Sequence, residues 1–182
     1  DWSEIEDLRL SDKDANAPKS MNTHLHILEP YSNLYRVDPT PELKERLESL
    51  TRLFLDKIIH RETGHFDLFF ARDWSRLSTI HSYGHDIEGA WLLREAAELI
   101  GDPDLTERVE RASERLVRIT LDEGTDTDGS LFYEREHGVL DTDKHWWPQA
   151  EAMVGCLDAF EISGNSMYLV QCLRVWNFIK IN

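Results

Sequence analysis

Residues 87–121 read IEGAWLLREAAELIGDPDLTERVERASERLVRITL, and a contrast within this stretch decides the fold. Residues 87–100 are apolar around most of a helical circumference, so a helix there is covered on nearly every side. Beyond Gly101-Asp102, residues Leu105, Val109, Ala112, Leu116 and Ile119 step by four and three among charged neighbours. That spacing gives a helix with one buried and one solvated face. An enclosed inner helix followed by an amphipathic outer helix is a helical hairpin.

The same pairing flanks this stretch. The 3.6-residue pattern predicts six helices, over 20–37, 41–60, 83–100, 103–121, 148–162 and 165–180. Segment 41–60 places Leu43, Leu47, Leu50, Phe54 and Ile58 on one stripe and fills the rest with charges, which makes it an outer helix. Segment 150–162 carries few charges and reads as inner. Three hairpins with a period of about sixty residues predict an all-α toroid of stacked units. Between them, His65–Phe70 follows Gly64, and Ser130–Arg135 follows the turn signal Asp128-Gly129; both are expected as short rim β-hairpins. Residues 1–18 are polar and expected as an irregular loop.

The 182 residues suffice for one sizeable core, and 41% hydrophobic with 30% charged residues is a globular composition. The net charge of −15 argues against nucleic acid or an anionic membrane surface as partner, since phosphate binding needs clustered Lys and Arg. A neutral small molecule such as a sugar suits it better. The two cysteines, Cys156 and Cys172, lie in apolar helical patterns and are expected as core thiols in a reducing compartment. No apolar run approaches the roughly 20 residues of a membrane helix, and no signal peptide opens the chain, so the expected location is cytoplasmic. The chain begins Asp1-Trp2-Ser3 and ends in the apolar helix Val175–Ile179, which predicts a piece of a longer polypeptide.

Polar residues collect at the starts of the inner helices. Ser20 is placed to cap the first, with Asn22 in its first turn and His26 on the same face at i+4. His24 lies about 200° around the helix from His26, a poor metal pair. Ser82 is the expected cap of the second inner helix, with His85 in the first turn and Glu88 on the same face. Proline favours the first helical position, so the third inner helix is expected to start at Pro148, with Trp146 and Trp147 on the rim before it and Glu151 in its first turn. His26 and His85 are 59 residues apart, and His85 and Pro148 are 63 apart, so each repeat delivers its polar groups to an equivalent place. Indole faces stack on pyranose rings while fixed polar groups hold hydroxyls. Each feature alone is more often a cap, a surface residue or an edge of the core; their convergence on one rim points to a sugar site.

Three stretches carry a resemblance: Lys19–Glu29 (KSMNTHLHILE), Ser82–Glu88 (SYGHDIE) and Asp141–Glu151 (DTDKHWWPQAE). They are similar in order and spacing to signatures of the cellobiose 2-epimerase group within the N-acylglucosamine 2-epimerase superfamily. The resemblance implies an (α/α)6 barrel. Residues 1–182 then form a single partial domain, about half of that barrel, since six hairpins of this period make a chain of roughly 400 residues. By motif it implies Asn22 as a substrate-binding amide, His26 as an active-site histidine, His85 as general acid/base, Glu88 as its paired carboxylate, and Trp146 and Trp147 as the sugar platform. Glu151 is expected among the substrate-binding groups. Two family features, an arginine before this region and a histidine near the C-terminus, have no counterpart in this sequence. Pro30 is a further departure, expected to bend the helix beside His26.

The implied reaction inverts C2 of the reducing-end glucose of cellobiose-type β-1,4-disaccharides through a cis-enediolate, with no cofactor, metal or nucleotide. Imidazole suits it because its unperturbed pKa near 6.5 populates both forms at neutral pH. An aldose–ketose isomerase of the same superfamily is the second reading. A non-catalytic half-barrel that binds sugar or protein is the third. By this reading the isolated 182-residue chain does not epimerise, and its open barrel edges favour self-association.

Overall fold

The computed structural model describes residues 6, 7, 9 and 15–182. Six helices dominate it: α1 (Met21–Val37), α2 (Pro41–Leu53), α3 (Tyr83–Ile100), α4 (Pro103–Gly124), α5 (Trp146–Ser163) and α6 (Ser166–Ile181). Each matches an expected segment, and a π-helical turn, Phe54–Ile58, continues α2. Residues 15–18 are irregular, as expected of 1–18, while 1–5, 8 and 10–14 lie outside the described residues.

Local chemistry sets the helix boundaries. Thr40 caps α2 and Asp102 caps α4, each followed by a proline at the first helical position, where no amide is needed. Gly101 and Gly164 end α3 and α5 in the left-handed conformation, at φ +70° and +68°, and so turn the chain into α4 and α6. Pro30 lies within α1, which runs from Met21 to Val37 around it.

The pairs α1–α2, α3–α4 and α5–α6 pack as hairpins, with α3 between α1 and α5. The three inner helices run parallel. Gly84, at the start of α3, faces Trp147 and Pro148 at the start of α5. Near the other ends, Arg94 bonds Asp158 at 2.6 Å and Glu161 at 3.0 Å, and Arg36 of α1 bonds Glu95 of α3. Helix α3 buries eleven of its eighteen residues, against seven of twenty-two in α4. The inner character read from 87–100 holds. Helix α5 buries only six of eighteen, about the same share as α4. Its Val154 and Leu157 are exposed, as are Met167, Val170 and Leu173 of α6, because among the described residues no further hairpin covers that side.

The rim strands differ from expectation in their partners. Strand β2 (Phe69–Phe70) forms no hairpin within 65–70; it pairs antiparallel with β1 (Lys19–Ser20). Strand β4 (Glu134–Glu136) turns through His137 and Gly138, both at positive φ, into β5 (Val139–Asp141), and also pairs with β3 (His81–Ser82). The β4–β5 hairpin thus starts later than 130–135. Strands β1 and β3 run directly into α1 and α3, so each rim sheet supports the first turn of an inner helix. Sequence periodicity carries no record of such pairings across fifty residues. No helix is long and apolar enough to cross a membrane among the described residues.

Candidate functional site

The starts of α1, α3 and α5 lie at one end of the helical layer, and the polar residues expected from sequence gather there. Ser20 caps α1 by accepting a bond from the Thr23 amide. One turn on, His26 Nδ1 lies 3.6 Å from Glu29 Oε2, both side chains about half exposed. Asn22 offers a buried Oδ1 with no hydrogen-bond partner among the described residues. His24 faces elsewhere: its Nδ1 meets the Ser20 carbonyl at 2.6 Å and its ring packs 5.2 Å from Trp74.

At the start of α3, Ser82 occupies the N-cap position without the expected side-chain cap. Its Oγ lies 2.7 Å from His85 Nδ1 instead, so the hydroxyl orients the imidazole. The His85 ring centroid is 4.9 Å from that of Trp147 at a 60° tilt. Trp147 in turn lies across Gly84, where a Cβ would come within 2.4 Å of its ring. Glycine permits this approach of α3 and α5.

Helix α5 starts at Trp146 rather than Pro148. The first turn of a helix has no intrahelical partners for its amides, so proline is accommodated at the third position as well as the first. Both tryptophans therefore belong to the helix. They also part ways, because Trp147 reaches His85 while Trp146 is 81% exposed. Glu151 moves to the second turn, where its Oε2 accepts a bond of 2.8 Å from Trp91 Nε1.

Carboxylates from three inner helices meet between these groups. Burial, then Glu151, then Glu29 push the Glu88 carboxyl up to about 7. The Glu151 carboxyl is raised by burial, opposed by the Trp91 hydrogen bond, raised by Glu29 and lowered by His26. A carboxyl poised near neutrality donates a proton or hydrogen bond that an ordinary glutamate does not.

Several contributors escape the sequence reading. Glu29 is the third residue after His26 and is accessible to helical-face arithmetic. Trp91 has no local signal, since only the packing of α3 on α5 brings it to Glu151. Behind the α3 turn, buried Asp86 accepts from the Phe66 amide at 2.8 Å and contacts His65 Nδ1 at 2.6 Å. Burial disfavours charge on His65, but the carboxylates of Asp86 and then Glu123 together more than offset that, so the imidazole pKa is raised. Free Cys156 is buried, its thiol pushed up to about 12 by burial, and Cys172 is a half-buried free thiol.

The comparisons with known proteins agree with one another. Residues 2–182 match the N-acylglucosamine 2-epimerase (GlcNAc 2-epimerase) family. The chain is 46% identical to a cellobiose 2-epimerase of Bacteroides fragilis over 99% of its own length and 46% of that protein's. It is 36% identical to the cellobiose 2-epimerase of Dictyoglomus turgidum, covering 98% of this chain and 46% of the relative. It superposes on the structure of cellobiose 2-epimerase from Bacillus thermoamylovorans with a TM-score of 0.93 and 36% identity, covering 99% of this chain and 46% of that one. The chain spans about half the length of these relatives. The structural neighbours are α/α barrels, and three hairpins are about half of one. A family match over nearly the whole chain, on a fold that assembles the motif residues at one rim, establishes that this chain belongs to the N-acylglucosamine 2-epimerase family.

Proposed function

We propose that the intact protein is a sugar 2-epimerase that interconverts the reducing-end glucose and mannose units of cellobiose-type disaccharides. The observation that carries this reading is His85, oriented by Ser82 and set against Trp147, with Glu88 on the same helix face poised near neutrality. Trp147 offers an apolar face to a pyranose, with Trp146 extending the platform. Asn22 Oδ1 accepts a substrate hydroxyl, and Glu151, steadied by Trp91, accepts another.

The chemistry follows from the groups. The reducing-end ring opens to the aldehyde, which acidifies the C2 hydrogen. His85 takes that proton; the C–H electron pair forms the C1–C2 double bond, and the carbonyl pair moves to O1 as an enediolate. A proton delivered to the opposite face of C2 restores the aldehyde with inverted configuration. His26 and protonated Glu88 donate hydrogen bonds to the oxygens on which charge develops, and the converging first turns add free amides and positive dipole ends. The donor for the opposite face is assigned outside residues 1–182, to the C-terminal histidine implied by the family resemblance. The atoms balance without an oxidant or a cofactor.

The test is to incubate the intact protein with cellobiose in deuterium oxide. Glucosyl-mannose carrying deuterium at C2 is the expected product. A ketose product would assign an aldose–ketose isomerase instead, and absence of both product and exchange would overturn the enzymatic reading.

A further inference from the structure

One residue on from His85, the far side of α3 closes over a second cluster that the epimerisation chemistry does not use. His65 from the segment after the π-helical turn, His81 from β3 and Glu123 from the end of α4 each offer one ligand atom within 4.8 Å of the others. His65 is 1% exposed, and its Nδ1 is taken by Asp86. Its Nε2 makes no hydrogen bond among the described residues, and lies 3.5 Å from Glu123 Oε2. His81 Nδ1 is a second buried nitrogen without a partner among the described residues, and the two rings stack with centroids 4.1 Å apart.

Buried polar atoms left unpaired are costly. A proton on His65 Nε2 would answer that nitrogen and Glu123. It would leave His81 Nδ1 unanswered and set a charged ring against its stacked neighbour. One cation answers all three atoms. We propose that His65 Nε2, His81 Nδ1 and Glu123 form a zinc site, with Asp86 fixing the tautomer and orientation of His65.

Four features fit zinc. Two imidazoles and a carboxylate suit it, whereas calcium and magnesium take shells of oxygen. Two ligand bonds of about 2.1 Å at a tetrahedral angle separate their donors by about 3.4 Å, and His65 and Glu123 already stand at 3.5 Å. His81 supplies the remaining adjustment by turning its ring out of the stack. A carboxylate on the far nitrogen of a ligating histidine is the usual support of such a ligand, and Glu123, with its side chain 47% exposed, leaves access for the ion and for a water as fourth ligand. The ion would tie the end of α4 and the segment before β2 to the turn that carries His85. The proposal stands independently of the proposed sugar chemistry.

The experiment uses the intact protein stripped of metal, titrated with Zn2+ by calorimetry and with Co2+ by its ligand-field absorption. One equivalent should bind, with tetrahedral cobalt absorption and a raised melting temperature. His81→Ala and Glu123→Gln should each weaken affinity at least tenfold, and His137→Ala, at an exposed histidine, should leave it unchanged. Because Glu123 is half exposed, Glu123→Gln keeps the fold and isolates the ligand. Absence of stoichiometric binding, or binding that both variants retain at full strength, would overturn the proposal.

Discussion

Gly84→Ala puts the joint between α3 and α5 to the sharpest test. A Cβ at this position would lie 2.4 Å from Trp147 Cη2, 2.6 Å from Cζ3 and 3.0 Å from Pro148 Cγ, while ordinary contacts start near 3.4 Å. The indole must therefore retreat by about 1 Å, and a half-buried ring at a helix start has room to do so. Overpacking costs about 1–3 kcal/mol, and replacing glycine in a helix recovers up to about 1 kcal/mol. The net loss of stability should stay within roughly 3 kcal/mol. Function should suffer more, because Trp147 touches His85. Loss of an aromatic contact of about 0.5–1.5 kcal/mol weakens sugar binding up to roughly tenfold, and a 1 Å misplacement at a reacting group costs up to about 10²-fold. Steady-state kinetics on the intact protein, alongside denaturant unfolding, should show kcat/KM reduced about 10- to 100-fold in a folded enzyme. Adding Trp147→Leu should restore stability by relieving the clash while leaving sugar binding impaired. Unchanged kcat/KM for Gly84→Ala, or recovery of binding in the double variant, would refute the assignment of Trp147 as the platform beside His85.

Other expectations follow from the same geometry. His85→Asn should lower epimerisation and C2 deuterium exchange by at least the roughly 10²–10⁴-fold that acid–base catalysis supplies, with sugar affinity largely kept; exchange at the wild-type rate would remove His85 from C2. Trp147→Ala should weaken sugar binding more than Trp146→Ala by calorimetry, since Trp147 packs on His85 while Trp146 is 81% exposed; equal losses would make the platform a shared one. Glu88 has a folded pKa of about 7 against an ordinary 4.5, so the native state binds the extra proton and stability falls as pH rises through that window. Glu88→Gln should flatten this fall between about pH 4.5 and 7, and a melting-temperature profile parallel to wild type would contradict the buried, carboxylate-crowded setting.

The hairpins were legible because each inner–outer pair writes its burial into local periodicity. The charged stripe of 103–121 and the apolar band of 87–100 need no partner to be read. The candidate site was legible where its groups share a helix face, as Asn22 with His26 and His85 with Glu88 do. Wherever the deciding contact joins two repeats, local reading lost its grip. Trp91 meets Glu151 across sixty positions. A local rule misled as well, because the context of Ser82 marks a cap while its hydroxyl is diverted to a ring nitrogen of His85 three residues on. The proline rule misplaced the start of α5 because it weighed the missing amide at the first position alone, though the next positions also lack intrahelical acceptors.

The same limit explains why the second cluster was invisible beforehand. His65, His81, Asp86 and Glu123 fall in a loop, a strand and two helices, with no spacing that a metal motif would display. Asp86 sits beside His85, and a step of 100° along the helix turns its side chain from the pocket side into the core. One turn of α3 therefore faces the candidate pocket and the second cluster through adjacent residues. His85 is held by Ser82 from the strand before it, and Asp86 anchors the same turn to His65 and the Phe66 amide. Strain or loss of contacts on the buried side of that turn must be felt by the imidazole on the other, since the backbone between them is a single peptide unit. Positional accuracy at His85 is thus built from behind, by groups that no reading of the pocket alone would include.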